Sequence, residues 1–554
     1  MHRQEGAIQS CFKDLDSANP TPPDGTVVAC ESDSFPRWSS TGFLVVFTLS
    51  YFALTLTHAS IKLLWFDELI TLYVARLNAP ELIWDALARG TDPNPPLMHL
   101  LVMWSMRMFG ESELVVRLPA ILANWFASVC LFSYLRRRLP VQYAAAGVCF
   151  FAATAAFSYS YESRSYALLL AFSIVSLVAW RGVVEGRHPA LSAVLLALCV
   201  GLGISSNYFA VLSLFPVAIG EFVRSLERRR LDYRVWLALA AGASPLLVYL
   251  PLIDYAAVKF GPYAFNRVQL HGPFATYLRD PILGPSLGLL VYGAVTHFRK
   301  RLAGEEVLPA VLPRHELAAV VVLMAYPLIG YMVATVRGGM LSPRFVLPVA
   351  YGFAIAVAVA GYRLFSRRYA HTIVFLVLIV SWITVRHSIE AYIYLAQRAA
   401  FERVRDHLPP EDTIVVPDGL LVLPLAYYSR PEIASRLVFP VDFDAVRRYK
   451  REDGAEQNLW AGRGHVFPVR VVPLHELEAT ARDYLVVCHR GNWLLEKYAA
   501  DGLPARRLPI EVDTARIWTM SHGSVYYYEA GSGGTVARRL GAGPAPASRE
   551  PGAR

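Results

Sequence analysis

Charge is scarce in this chain: Asp, Glu, Lys and Arg make up only 18% of its 554 residues, below the ordinary soluble share. Cysteine gives no framework either. Cys11 and Cys30 precede the first apolar run, Cys130, Cys149 and Cys199 sit inside apolar runs, and Cys488 stands alone, so neither a disulfide scaffold nor a Cys-based zinc site is implied. A GxxxxGK[S/T] run is absent, which removes a P-loop from consideration. The first 40 residues hold Pro20, Pro22, Pro23 and Gly25 but no apolar core, so they do not read as a signal peptide, and a disordered cytoplasmic tail over 1–40 is expected.

Hydrophobic residues are plentiful at 55%, with 12% aromatic and a mean hydropathy of +0.37. Most fall into runs close to the length that crosses a bilayer, which makes the chain an α-helical polytopic membrane protein. Eleven spans are expected, at 43–64, 114–135, 142–160, 165–183, 189–205, 208–223, 234–253, 281–297, 316–336, 345–362 and 371–388. The net charge of +9 comes from arginines spread between these runs, so no nucleic-acid partner is implied. With the N-terminus inside, the clusters Arg136–Arg138, Arg228–Arg230, Arg299–Arg301 and Arg367–Arg368 all fall on the cytoplasmic side, as the positive-inside rule asks. The apolar segment 95–109 is short and contains His99 and Arg107; it reads as an interfacial helix inside a first outer loop over 65–113.

An odd number of spans places the remainder outside. After the last run, β-rich stretches at Thr413–Pro417, Leu437–Pro440, Tyr484–His489, Leu508–Val512 and Val525–Tyr528 alternate with helical ones such as Asn492–Asp501. They predict a periplasmic α/β domain over 391–530 following a membrane domain over 41–390. The Gly- and Pro-rich stretch 531–554 is expected to be disordered.

Candidate chemistry gathers at the outer ends of the spans. Asp67 and Glu68 adjoin the first span, where carboxylates near a low-dielectric boundary call for a partner or a cation; solvated acids on an interfacial anchor are the plainer alternative. Asp92-Pro93-Asn94-Pro95-Pro96-Leu97 is a proline-stiffened turn. Tyr159–Tyr166 carries Glu162, Arg164 and Tyr166, a cluster that a surface ion pair between spans would also explain. Arg344 opens the tenth span, either gripping a phosphate with its planar fork or snorkelling from a helix end. Arg267 and Arg337 are weaker phosphate candidates. His271 is a tentative metal ligand and His99 reads more simply as solvated, neither having metal-ligand spacing with another histidine.

The acidic pair past the first span, the Pro-Pro-Leu turn, Phe109-Gly110-Glu111-Ser112 and Arg117-Leu118-Pro119-Ala120 together resemble the GT-C superfamily, whose members with this pattern include protein O-mannosyltransferases and transferases that modify bacterial lipid A. The resemblance implies a glycosyltransferase of the cytoplasmic membrane using a polyprenyl-phosphate sugar, with a hexosyl or pentosyl unit passed to a glycolipid, glycan or protein. It implies a catalytic-site carboxylate at Asp67 with Glu68 as its neighbour, a second acid at Glu162, and donor-binding roles for Arg164, Tyr166 and Arg344. Asp67 and Glu162 facing one cavity could hold a divalent cation, or share the base role. A flippase for lipid-linked glycans and an O-antigen polymerase or ligase are the alternatives.

Overall fold

The computed structural model describes residues 39–531 apart from 264–271, 305–309, 338–339, 366–368, 410–411, 481–482 and 514–523. Arg267, His271 and all but the inner edges of the expected tails therefore lie outside the described residues, as does the side chain of Arg337, which ends the helix Tyr326–Arg337.

Each of the eleven apolar stretches folds as helix. Among the described residues seven helices are long and apolar enough to cross a membrane, the first being α1 (Ser40–Ile61). Three further stretches are helix pairs bent at a short break, at 74° for Val141–Ala153 with Ala155–Tyr161, 85° for Gly272–Leu278 with Leu283–Leu302, and 60° for Arg314–Met324 with Tyr326–Val336. The remaining one, Val349–Phe365, has 17 residues. Hydropathy sums over a window and is blind to such breaks, so the sequence reads them as straight spans.

The 60° bend has a visible seat. A Cβ at Gly352 would stand 2.7 Å from the backbone nitrogen of Met324 and 2.9 Å from the carbonyl carbon of Leu323, so only glycine lets Val349–Phe365 approach the helix end there. Gly352→Ala must push one backbone off the other and is expected to lower stability by about 1–3 kcal/mol. A thermal midpoint in detergent equal to that of the wild type would show that the contact yields freely.

The loop expected outside, between the first two spans, is built of three short helices, α2 (Phe66–Ala75), α3 (Pro80–Ala88) and α4 (Leu97–Phe109). At 13 residues α4 is too short to span, as the interfacial reading requires. Ser112 then caps α5 (Glu113–Arg136) by accepting from the Val115 amide at 3.2 Å.

The last span does not stop at the membrane. Its helix, Tyr369–Asp406, runs 38 residues without interruption, so the domain division expected at 390 falls inside a helix, because the polar residues that ended the apolar run also suit a solvated helix. Beyond it lies a six-stranded sheet: β1 (Ile414–Val415), β2 (Leu437–Val441), β3 (Arg470–Pro473), β4 (Asp483–His489), β5 (Ala505–Asp513) and β6 (Ser524–Gly531), in the order β3-β2-β1-β4-β6-β5. The first four pair in parallel and the last two add antiparallel. All five residues of β2 are buried, as a sheet covered on both faces demands.

Two hydrophobic cores position the site. One fills the space between the spans. The other joins α2, α3 and α4 to the C-terminal sheet, with Phe66, Leu69, Leu72 and Val102 packed in one cluster with Ile414, Leu437, Phe439 and Leu485. Gly419 comes so close that a Cβ there would lie 3.7 Å from the Phe66 ring and 2.5 Å from the Ala455 Cβ.

Candidate active site

Trp65, in extended conformation, ends the connection after α1 and precedes α2, which places Asp67 and Glu68 in the first helical turn. There the helix dipole favours negative charge. The two adjacent acids nevertheless meet different surroundings, because successive residues on a helix point about 100° apart.

Glu68 turns inward. Arg117 from α5 grips it through Nε at 2.8 Å and Nη2 at 2.7 Å, and the Ser163 amide donates to it at 2.7 Å. Both partners of the ion pair have fully buried side chains. Burial alone would raise the Glu68 pKa, but the Arg117 charge and its hydrogen bonds hold it below the usual carboxylate range. The remaining donors of Arg117 reach the carbonyls of Ala59, Lys62 and Leu63 at 2.6, 2.7 and 3.0 Å. Of the expected acidic pair, Glu68 thus has both oxygens engaged and closed off, and it joins α1, α2 and α5.

Asp67 turns toward two guanidinium groups. Its Oδ2 lies 3.1 Å from Arg344 Nη1 and 3.9 Å from Arg164 Nε, with the side chain 17% exposed. Arg344 stands in a short turn, Pro343–Phe345, its guanidinium 5.9 Å from the Tyr166 ring centre and 5.7 Å from that of Phe345. Phe345 stacks on Phe209 at 4.4 Å and 11°. Arg164 also donates to the Asp67 carbonyl at 3.1 Å and to Asp92 Oδ2 at 2.8 Å.

Asp92 is the residue that the sequence hid. It reads as part of a surface turn, yet it is 2% exposed and receives, besides Arg164, Nε2 of His99 at 3.2 Å and the Asn94 amide at 2.5 Å. His99, expected in solvent, is buried against it. Burial pushes the Asp92 pKa up, but the Arg164 charge and the His99 hydrogen bond outweigh it and hold the carboxyl well below its ordinary value. A carboxylate depressed in the folded state contributes stability above its unfolded pKa of about 3.9 and loses it as pH falls through the folded value. The outer loop should therefore hold from neutral pH to about pH 4 and weaken below. In acid titrations followed by thermal unfolding, Asp92→Asn should flatten that limb, and an unchanged limb would refute the assignment.

Glu162 does not meet a cation-binding partner of its own sign. It pairs with the ammonium of Lys62, the residue that caps α1, and Lys62 in turn lies 5.6 and 5.5 Å from the ring centres of Tyr161 and Tyr394. Arg344 and Arg164 lie against Asp67 and Lys62 against Glu162, whose Oε2 is buried without a hydrogen-bond partner among the described residues, and neither acid belongs to a three-ligand group there. Above the site, Asn458 of the C-terminal domain donates to the Thr91 carbonyl at 2.7 Å, beside Asp92.

Residues 93–254 match the family model described as dolichyl-phosphate-mannose-protein mannosyltransferase. No curated protein matches the sequence. Among solved structures the chain is similar to ArnT from Cupriavidus metallidurans in the apo state, at 14% identity and a TM-score of 0.53, over 88% of this chain and 98% of that one. It also aligns with the same protein bound to undecaprenyl phosphate, at 15% and 0.48 over 88% and 98%. With the Archaeoglobus fulgidus oligosaccharyltransferase in complex with zinc and sulfate the figures are 10% and 0.42, over 81% and 68%. The fold is thus similar to that of ArnT, and residues 93–254 are similar to the mannosyltransferase family. This chain has the ArnT-like arrangement of a multi-span helical body followed by a strand-containing C-terminal domain.

Proposed function

We propose that the chain transfers a hexosyl or pentosyl unit from a polyprenyl-phosphate donor to a glycolipid, glycan or protein acceptor at the outer face of the cytoplasmic membrane. The observation that supports this most is the setting of Asp67, a carboxylate 3.1 Å from one guanidinium and 3.9 Å from another, at the end of a span in the GT-C fold. Without donor, Asp67 takes the place on Arg344 that a phosphate would claim. A donor phosphate binding to Arg344 and Arg164 releases Asp67 to accept the proton of an acceptor hydroxyl. That oxygen bonds to the anomeric carbon, the bond from that carbon to the phosphate oxygen breaks, and polyprenyl phosphate departs with its charge held by the two arginines. Lipid and protein around the site limit competing water.

The arginine distribution supports an N-terminus inside and a C-terminal domain outside. The test of function is transfer by the purified full-length protein in liposomes, supplied with defined polyprenyl-phosphate pentoses and hexoses and an extract of envelope acceptors. If no sugar moves while lipid-linked glycan crosses the bilayer, the protein is a flippase. In the same assay Arg344→Lys keeps the charge but loses the planar fork, so turnover should fall at least about tenfold, the equivalent of ~1.4 kcal/mol in the barrier. Unchanged turnover at limiting donor would remove Arg344 from the donor site.

A further inference from the structure

Away from Asp67, at the outer end of α1, two imidazoles and a carboxylate meet. His58 lies in the last turn of α1, and His387 and Glu390 lie one turn apart on the helix Tyr369–Asp406. Both histidines are buried, at 2% and 4% exposed. One ring nitrogen from each and a Glu390 oxygen all lie within 4.8 Å of one another.

Both ring nitrogens of His58 face carbonyls, and a neutral ring carries one hydrogen. His58 Nδ1 is 2.9 Å from the Leu54 carbonyl; this shorter contact takes the hydrogen, and Nε2 of the neutral ring presents a lone pair. That Nε2 lies 3.2 Å from the His387 carbonyl oxygen, so two acceptors face each other, a contact that a nearby cation relieves. His387 Nδ1 is 3.0 Å from Glu390 Oε2; the carboxylate accepts, so here too the lone pair sits on Nε2. That atom is buried and has no hydrogen-bond partner among the described residues.

We propose that His58 and His387 bind a divalent transition-metal ion of the zinc type through their Nε2 atoms, with water completing the coordination. Each ligand already has the support such sites show, a backbone carbonyl on the Nδ1–H of His58 and a carboxylate on that of His387. Glu390 is itself held in place by the Tyr161 hydroxyl at 2.7 Å on Oε2, and by Ser158 and Arg386 at 2.9 and 3.0 Å on Oε1. It therefore orients His387 and balances charge rather than ligating. Two imidazole nitrogens select zinc, nickel or copper over magnesium or calcium, which prefer oxygen. The ion would fasten the last turn of α1 to the helix leading into the C-terminal domain, four residues before the Lys62 that holds Glu162. The inference is independent of the transferase reading.

The test uses the full-length protein purified in detergent, stripped with a chelator, exposed to Zn²⁺ at pH 8 and desalted. About one zinc per chain should remain by elemental analysis. Co²⁺ should show visible absorption that Zn²⁺ displaces, and Zn²⁺ should raise the thermal midpoint. His58→Gln and His387→Gln should each lose the retained ion and the midpoint shift, whereas His465→Gln, at an exposed position, should keep both. Should either variant misfold, the cobalt spectrum of the wild type decides alone, since imidazole ligation gives bands that aqueous cobalt lacks. Wild-type protein that retains no zinc, or His387→Gln protein that retains as much as wild type, overturns the proposal, leaving a proton as what relieves the His58 contact.

Discussion

Asp67→Asn protein should insert and fold as the wild type does, yet transfer sugar roughly 10²- to 10⁴-fold more slowly, the range lost with a general base. Asparagine keeps the size of the side chain and can still accept from Arg344, so the local geometry survives while the proton acceptor is gone. Removing this charge also loosens the 3.1 Å hold on Arg344 from an ion pair to a neutral hydrogen bond, which should leave donor binding intact or tighter. The expected signature is therefore a fall in kcat with KM for the donor unchanged or lower. Binding of a polyprenyl-phosphate donor and single-turnover transfer, measured on the same preparation, separate the two. If Asp67→Asn transfers at the wild-type rate, the base is another group and Glu162 is the next to test.

The second large effect belongs to Arg117, and it should appear in stability before it appears in rate. Arg117→Ala leaves Glu68 charged, fully buried and without its bidentate partner, and it strips three carbonyls at the end of α1 of their donor. Breaking a buried pair on one side typically costs ~3–5 kcal/mol. The variant is expected to unfold far earlier in its outer part, and any surviving fraction to transfer poorly because Asp67 shares the helical turn that Glu68 anchors. Adding Glu68→Gln removes the stranded charge and should restore part of the loss. If the single variant melts with the wild type, or if the second substitution deepens the loss by its full separate cost, the pair is not the anchor described here.

The periodic parts of this chain were legible from sequence, and the contacts that run across it were not. Every apolar run is a helix, and the strands at Leu437–Val441 and Asp483–His489 fall where β-rich runs pointed. The short strand Arg470–Pro473 carried too little pattern to be seen. Asp67 was visible through its motif. Glu68 carried the same motif, and its distinct role depends on Arg117, 49 residues away. Asp92 looked like turn chemistry because its ligand, Arg164, lies 72 residues on. Sequence spacing reports what one helix or strand places together; burial of a polar group depends on partners that only the fold supplies.

The core shared by α2 and the C-terminal sheet sets a timetable for the protein's own synthesis. Phe66 and Leu69 flank the Asp67–Glu68 pair, yet the strands that bury them follow every span in the chain. Until those strands have folded, the turn bearing Asp67 lacks that share of its packing, since its apolar face has nothing to cover it. A nascent chain can thus have every span inserted and its arginines in place while the proposed reaction centre is still unmade. Folding of the C-terminal domain, rather than insertion of the spans, is what completes that turn.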